Sequence, residues 1–274
     1  MTPPPPSFLH TPTGTGLAYR DEHPPHPKPV PPFLLLHGLA GHLGEWNDLA
    51  PRLLAAGHRV IRYDAAGHGA STRTPPDMSR KAAAADAVAL LTALRPGPVV
   101  LLGQSLGGLT ALLAAATHPA LARALILIEA GPAAGTPDLP DNIATWLDSW
   151  PVPFPSYQSA VTFFGHDSWA DSLTWRPDGT GHPRIDRRTM LAAVQEPATR
   201  DYWPEWTQLR CPTLVVRGAH GTMPESEPLE MRTRRPDTTH LVTVPDAGHD
   251  VHLDRPAELY GAISGFLSSH RSSA

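Results

Sequence analysis

Short apolar runs alternate with helical patterns from residue 33 onward, and this alternation constrains the fold more than any other feature of the chain. The runs are continuous and bounded by proline, glycine or charged residues, which is typical of strands buried on both faces of a parallel sheet. The predicted strands are Phe33–Leu36, Val60–Tyr63, Val99–Leu102, Leu125–Ile128, Leu214–Val216 and Leu241–Val244. The predicted helices are Trp46–Ala56, Ser79–Leu94, Leu106–Thr117 and Ala257–Ser268. The alternation predicts an α/β fold with a mostly parallel, doubly wound sheet.

Proline and tryptophan concentrate in two segments that lie outside this pattern. Residues 1–32 hold eleven of the 33 prolines, and we expect them to be extended or irregular except for a short pairing around Gly16–Arg20. Residues 131–209 hold ten prolines and six of the seven tryptophans. We interpret 131–209 as a helical cap inserted over the carboxyl ends of the strands, where open α/β sheets bind ligands. The core is then predicted to comprise 33–130 and 210–274.

Charge and cysteine content narrow the classes of function. The 274-residue chain has a formal net charge of −4, which gives no electrostatic footprint for nucleic acid or an anionic membrane. Its one cysteine, Cys211, allows no intrachain disulfide. No apolar stretch is long enough to span a bilayer and no signal-peptide pattern opens the chain, so we expect a cytoplasmic protein that acts on a small molecule. The sequence does not indicate an oligomeric state.

A nucleophile-elbow pattern follows the third predicted strand. The residues are Gly103-Gln104-Ser105-Leu106-Gly107, and a helix begins at once after the turn. Such a strand–turn–helix junction lifts the serine hydroxyl above the sheet, while glycine at the two flanking positions removes Cβ atoms that would clash with the crossing strand and helix. The helix N-terminus favours negative charge at this point. The pattern predicts that Ser105 is a nucleophile.

With three further motifs, this pattern resembles the α/β-hydrolase superfamily over nearly all of the chain after residue 30. His37-Gly38-Leu39 is similar to the oxyanion-loop motif of that family. Residues 64–71 are similar to its D-x-R-G-x-G-x-S turn, with Ala66 where arginine is usual. Asp246-Ala247-Gly248-His249 is similar to its C-terminal histidine loop. The resemblance implies an α/β-hydrolase fold with a cap, in the esterase- and lipase-like branch whose nucleophile is serine.

The resemblance also suggests roles for particular residues. His249 is the candidate base, because it follows the last strand on a loop that faces the same end of the sheet as Ser105. The backbone N–H groups of Leu39 and Leu106 are the implied oxyanion donors. For His37, which belongs to the oxyanion loop, we favour a structural ring that hydrogen-bonds its own loop over a role in catalysis. The candidate substrate-binding residues are His37, Gly38, Gln104, Trp146 and Trp150.

The catalytic acid departs from the family pattern. Gly221 stands where an aspartate is usual after the penultimate strand, and glycine cannot orient an imidazole. Glu129 directly follows Leu125–Ile128, a position that one branch of the haloalkane dehalogenases uses for its acid, so we predict Glu129 as the acid. The alternatives are Glu225, Glu227 and a serine–histidine dyad without an acid.

The sequence therefore predicts a serine hydrolase that cleaves a small or medium apolar ester, lactone or thioester through an acyl-enzyme. No zinc-type motif and no dinucleotide fingerprint is present, so neither a metal nor a cofactor is predicted. The glycine at 221 motivates a second hypothesis: a non-hydrolytic cyclase or lyase, or a ligand-binding protein, that reuses the same fold.

Overall fold

The predicted alternation is present in a computed structural model of the chain, which describes residues 5–270. The strands are β1 (Ser7–His10), β2 (Gly16–Glu22), β3 (Phe33–Leu36), β4 (Val60–Tyr63), β5 (Val99–Gln104), β6 (Ala122–Ile128), β7 (Thr174–Trp175), β8 (Gly181–His182), β9 (Thr213–Gly218) and β10 (Thr239–Val244). Eight of them form one sheet in the order β1-β2-β4-β3-β5-β6-β9-β10. From β4 to β10 every neighbouring pair is parallel. The prediction of a mostly parallel, doubly wound α/β sheet is confirmed.

The helices lie between and after these strands. They are α1 (Leu49–Ala55), α2 (Arg80–Leu94), α3 (Ser105–Thr117), α4 (Leu139–Asp148), α5 (Tyr157–Phe164), α6 (Asp167–Asp171), α7 (Arg187–Thr199), α8 (Trp203–Gln208), α9 (Ser226–Arg234), α10 (Val251–Asp254) and α11 (Pro256–Ser269). The predicted helix Trp46–Ala56 is divided into a 3-10 turn, Leu43–Trp46, and α1. The turn starts at a capping box. The His42 side chain accepts a hydrogen bond from a backbone N–H of the first turn, and the Glu45 side chain accepts one from the backbone N–H of His42.

The central strands are buried on both faces, which is why their sequences are continuous apolar runs. Successive residues of β5 point into different layers: Leu101 packs with α2 and α3, and Leu102 packs with α1 and α11. Both side chains are fully buried. Because the layers cover both faces, the accessible edge for chemistry is the carboxyl end of the strands.

The N-terminal segment is more regular than predicted, and the short pairing expected around Gly16–Arg20 is present as β2. β1 and β2 form an antiparallel hairpin, and β2 pairs antiparallel with β4, so residues 7–22 extend the main sheet. Leu17 and Ala18 are fully buried, and the N–H of Ala18 donates to Ser71 Oγ at 2.8 Å. Two buried apolar side chains, Leu17 and Ala18, lie in this pairing, and the sequence indicated only its part around Gly16–Arg20.

The segment predicted to form a cap, residues 131–209 and called the cap segment below, carries α4 to α8 and the small β7–β8 ribbon. Its own apolar core is aromatic: Trp150, Phe154 and Trp169 are buried there, and Phe164 stacks on Trp169 with ring centroids 5.5 Å apart. The final helix α8 is an exception. Trp206 is fully buried in the main core and donates through Nε1 to the carbonyl of Met231, so the last residues of the segment pack with the sheet domain.

No helix within residues 5–270 has both the length and the hydropathy that crossing a lipid bilayer requires.

Candidate active site

Ser105 is the first residue of α3 and directly follows β5. Its φ angle is 50°, in the left-handed region that a non-glycine residue occupies at a cost of about 1–3 kcal/mol. The flanking glycines are required sterically, since a Cβ on Gly103 would overlap the backbone of Gly107, and a Cβ on Gly107 would overlap the carbonyl of His37. The tight crossing of β5 and α3 therefore holds the Ser105 side chain at the wall of a cavity.

The loop after β3 brings a second backbone segment to the same place. Gly38 and Leu39 line the cavity together with Ser105 and Leu106. A Cβ on Gly38 would overlap the side-chain oxygen of Gln104, so glycine lets the loop approach the end of β5 without displacing that side chain. The backbone N–H groups of Leu39 and Leu106 thus lie on the two segments that meet at Ser105.

His37 serves the loop itself. Its ring is buried, with Nδ1 2.8 Å from the carbonyl of Gly38, and its Nε2 accepts from the N–H of Ala65 at 2.9 Å. Both ring nitrogens are thereby occupied by backbone groups. The structure therefore does not place His37 as a substrate-binding residue but as a structural link between the loops after β3 and β4.

His249 lies on the loop after β10, and its Nδ1 is 3.3 Å from Glu129 Oε2. Glu129 comes directly after β6 with φ of 49°, and its N–H continues the strand ladder to the carbonyl of Val216 at 2.9 Å. This strained turn directs the carboxylate towards β9 and the histidine loop. The Glu129 side chain is fully buried, whereas 36% of the His249 side chain is exposed.

The Glu129 carboxylate is held by backbone donors from the end of β9 and the loop that follows. Oε1 accepts from Gly218 N–H at 2.8 Å, and Oε2 accepts from the N–H groups of Thr222 and Met223 at 2.7 and 3.0 Å. Burial by itself would raise the pKa of this carboxyl. The hydrogen bonds from His249, Met223 and Gly218 outweigh burial and hold the pKa below its ordinary value, so Glu129 is ionised at neutral pH.

The other two candidate acids lie elsewhere. The Glu225 side chain is 83% exposed and its carboxylate is 3.5 Å from Arg217 Nη1. Glu227 Oε1 accepts from the N–H of Ala133 at 3.0 Å. Within residues 5–270, Glu129 is the carboxylate found in contact with the His249 ring.

Two polar residues of the site, Thr222 and Asp250, were not predicted from the sequence. Thr222 Oγ1 is 2.8 Å from His249 Nδ1 and 3.4 Å from Glu129 Oε2. Asp250 accepts from Gln104 Nε2 at 3.3 Å and from Trp169 Nε1 at 3.0 Å. Thr222 directly follows Gly221, so its place next to the usual acid position was the available signal; Asp250 had only its position next to His249.

Gln104 links the elbow to the histidine loop. Besides Asp250, its Nε2 donates to the carbonyl of His249 at 3.2 Å. The side chain is buried and also borders the cavity. The geometry therefore gives Gln104, first considered for substrate binding, a clear positioning role as well.

The cavity in front of Ser105 has a volume of about 880 Å³ and is roofed by the cap segment. Trp146 lines it, whereas Trp150 is packed into the aromatic core of the cap, edge-on to Trp146 with ring centroids 5.1 Å apart. The prediction that Trp150 binds substrate is therefore not supported by its position. The apolar wall is formed by Leu39, Leu106, Leu109, Leu139, Ile143, Trp146, Trp169, Val194, Trp203 and Met223.

Across residues 5–270, no group of three or more His, Cys, Asp or Glu side chains has an arrangement that could hold a metal ion.

Comparison with known proteins agrees with this fold. A profile of the alpha/beta hydrolase family matches residues 33–262. The sn-1-specific diacylglycerol lipase ABHD11 of Xenopus tropicalis is 37% identical over 275 residues, covering 88% of this chain and 79% of that protein. ABHD11 of Mus musculus is 29% identical over 257 residues, covering 87% and 81%. The crystal structure of an E-2-(acetamidomethylene)succinate hydrolase superposes with a TM-score of 0.83 at 23% identity, covering 96% of this chain and 99% of that one.

Proposed function

The chain belongs to the α/β-hydrolase family and is a hydrolase, and from that premise we propose that Ser105, His249 and Glu129 form a catalytic triad that cleaves a small or medium apolar ester, lactone or thioester. The observation that carries the proposal is the contact between Glu129 Oε2 and His249 Nδ1 at the wall of the cavity that Ser105 lines. Glu129, His249 and Ser105 supply the acid, the base and the nucleophile of a serine triad.

In the proposed reaction, Ser105 Oγ attacks the carbonyl carbon while His249 takes the hydroxyl proton. Glu129 holds the imidazole by Nδ1 and stabilises the imidazolium that forms. The N–H groups of Leu39 and Leu106 receive the developing oxyanion. His249 then protonates the leaving group, and a water molecule activated by the same imidazole releases the acyl group.

The dimensions and lining of the cavity support the substrate class. About 880 Å³ is within the range of pockets that enclose a small or medium ligand, and most of the wall is apolar. The name of the ABHD11 relatives, diacylglycerol lipase, is in keeping with an apolar ester. We propose that the cap segment sets specificity, because Ile143, Trp146 and Val194 supply the roof.

The non-hydrolytic alternative depended on the missing acid at Gly221. Glu129 provides a carboxylate to His249 from the neighbouring strand, so that reason for a cyclase, lyase or binding protein no longer applies. This observation supports the hydrolase proposal.

Covalent labelling tests the proposal directly. Wild-type protein should react with a fluorophosphonate probe at Ser105 and should hydrolyse p-nitrophenyl hexanoate, and Ser105→Ala should lose both properties. Ser226→Ala is the matched control, since Ser226 also borders the cavity but begins α9. A wild-type protein that is folded, unlabelled and inactive on ester, lactone and thioester panels would contradict the proposal.

A further inference from the structure

The charged side chains of the cavity wall are mostly acidic. Five carboxylates border the cavity, and among the described residues that line it none is lysine or arginine. The carboxylates belong to Glu45, Glu129, Glu227, Glu230 and Asp250. His249 is the single basic side chain of the lining. A wall of this composition repels an anionic ligand group, whose charge would find no cation to pair with.

Four of the five carboxylates are already engaged by a donor side chain. Glu45 is 3.3 Å from His252 Nε2, Glu129 contacts His249, Asp250 accepts from Gln104 and Trp169, and Glu230 pairs with Arg234. These groups serve the protein itself, and their charge is partly matched by their partners.

Glu227 is different. Within residues 5–270 its carboxylate accepts one hydrogen bond, from the N–H of Ala133 to Oε1. The same oxygen lies against the backbone of Gly131, where a Cβ would overlap it, so the carboxylate is fixed beside the carboxyl end of β6. Burial raises the pKa of the Glu227 carboxyl, and the charges of Glu230 and Glu129 add to the rise, which the Ala133 bond only partly offsets. The raised pKa makes Glu227 easier to protonate than an exposed glutamate; in its ionised form it borders the cavity with no lysine or arginine partner among the described lining residues.

Arg234 packs on a residue of the cavity wall and pairs with another. Its guanidinium covers the ring of Trp203, with Cζ 4.1 Å from the ring centroid, and it is bound to Glu230. Trp203 lines the cavity, whereas Arg234 is not among the lining residues. Its charge is committed to Glu230 and does not neutralise Glu227.

Resting on the proposed hydrolase function, we propose that Glu227 is a specificity-determining residue that excludes substrates bearing a carboxylate and admits neutral or ammonium-bearing esters. The selection acts through like-charge repulsion inside a confined, largely apolar space, where charges are screened less than at the surface. Specificity of this kind arises from disfavouring the wrong substrate as much as from binding the right one.

Three p-nitrophenyl esters of similar length test the inference: the hexanoate (neutral), the monoadipate (anionic) and the 5-(trimethylammonio)pentanoate (cationic). For wild-type protein we expect kcat/KM on the adipate ester to be at least about tenfold below that on the hexanoate ester, and the cationic ester to match or exceed the hexanoate. Glu227→Gln should narrow the neutral-to-anionic gap about tenfold, because the amide oxygen can still accept from Ala133 while the charge is gone.

Glu225→Gln is the matched control, two residues away on the exposed side of the chain and outside the cavity wall. Glu225→Gln should leave kcat/KM on all three esters unchanged. Wild-type protein that cleaves the adipate ester as well as the hexanoate ester, or a gap that persists in Glu227→Gln, overturns the inference.

A binding measurement separates this outcome from failure of the hydrolase proposal. Tryptophan fluorescence of Ser105→Ala reports occupancy of the cavity, because Trp146, Trp169 and Trp203 line it. Methyl hexanoate should bind about tenfold more tightly than monomethyl adipate, and adding Glu227→Gln should remove the difference. This preference is measurable even if no ester is hydrolysed, and equal binding of the two ligands counts against Glu227 alone.

Discussion

The carboxylate of Glu129 occupies the space that a side chain at residue 221 would need. A Cβ on Gly221 would overlap the carboxylate carbon of Glu129 and both of its oxygens. β6 and β9 are parallel neighbours, with Ile128 paired to Val216, so the turns that follow them open side by side. Gly221 therefore leaves room for the Glu129 carboxylate, and Glu129 supplies a carboxylate at the position where Gly221 has none.

Exchanging the acid between these positions tests that relationship. Glu129→Gly suits the φ of 49° and should lower kcat by up to about 10⁴, the cost of an unoriented imidazole. Adding Gly221→Asp should restore at least about tenfold of that loss, because the space is then free. In the wild-type background, Gly221→Asp should instead lower both kcat and the melting temperature. The matched control is Glu129→Gly with Gly221→Asn, which fills the space without a charge; equal kcat values for the two double variants would argue against an interchangeable acid.

Thr222 should contribute to orienting His249. Its hydroxyl is nearer to His249 Nδ1 than the Glu129 carboxylate is, at 2.8 against 3.3 Å. Thr222→Val removes the hydroxyl and keeps the shape, and it should lower kcat about tenfold with little change in KM, as expected for one lost hydrogen bond. Thr222→Ser retains the hydroxyl and should stay near wild type. Steady-state kinetics on p-nitrophenyl hexanoate decide the matter, and a valine variant with wild-type kcat would remove Thr222 from the orienting network.

The pH dependence of stability should reveal the lowered pKa of Glu129. A group whose pKa is lower in the folded than in the unfolded state stabilises the fold above its unfolded pKa, and that contribution disappears as the pH falls through the folded pKa. The difference in melting temperature between wild type and Glu129→Gln should thus be constant near neutral pH and shrink below the ordinary titration range of glutamate. Thermal unfolding followed by circular dichroism measures it. A difference that grows towards acid pH would mean that the carboxyl is protonated in the folded protein.

Substitutions of Trp146 and Trp150 should affect different properties: substrate binding for Trp146 and stability for Trp150. Trp146 borders the cavity and Trp150 lies in the aromatic core of the cap. Trp146→Phe should raise KM about three- to fivefold, because it removes part of an aromatic wall. Trp150→Phe is the matched control and should lower the melting temperature while leaving KM unchanged. The interpretation fails if KM responds to Trp150 and not to Trp146.

The fold was predictable because periodicity is local. Continuous apolar runs such as Phe33–Leu36 and Val99–Leu102 indicate within a few residues that both faces of the strand are buried. The glycines on either side of Ser105 likewise identify the nucleophile elbow from adjacent residues. The pairing around Gly16–Arg20 was predicted, but its partners were not, because β2 pairs with β4, a strand about forty residues further along.

The site was predictable only where a motif names the residue. Ser105 and His249 stand in recognisable turns, and Glu129 was reached by asking which strand end could replace Gly221. Thr222 and Asp250 act through contacts with His249, Gln104 and Trp169 that depend on side-chain directions. The same holds for the difference between Trp146 and Trp150, which are four residues apart on or just after one helix and face different surroundings.

The shared space between residues 129 and 221 also restricts how such a site can evolve. A side chain at 221 overlaps the Glu129 carboxylate where it now lies, so moving the acid from one strand to the other disturbs the site least if the old position first becomes glycine and the glutamate is gained afterwards. The intermediate has no acid, and the hydroxyl next to the vacated position is what remains to orient the imidazole. On such a route the Thr222 hydroxyl, 2.8 Å from His249 Nδ1, matters most at the step where neither position carries an acid.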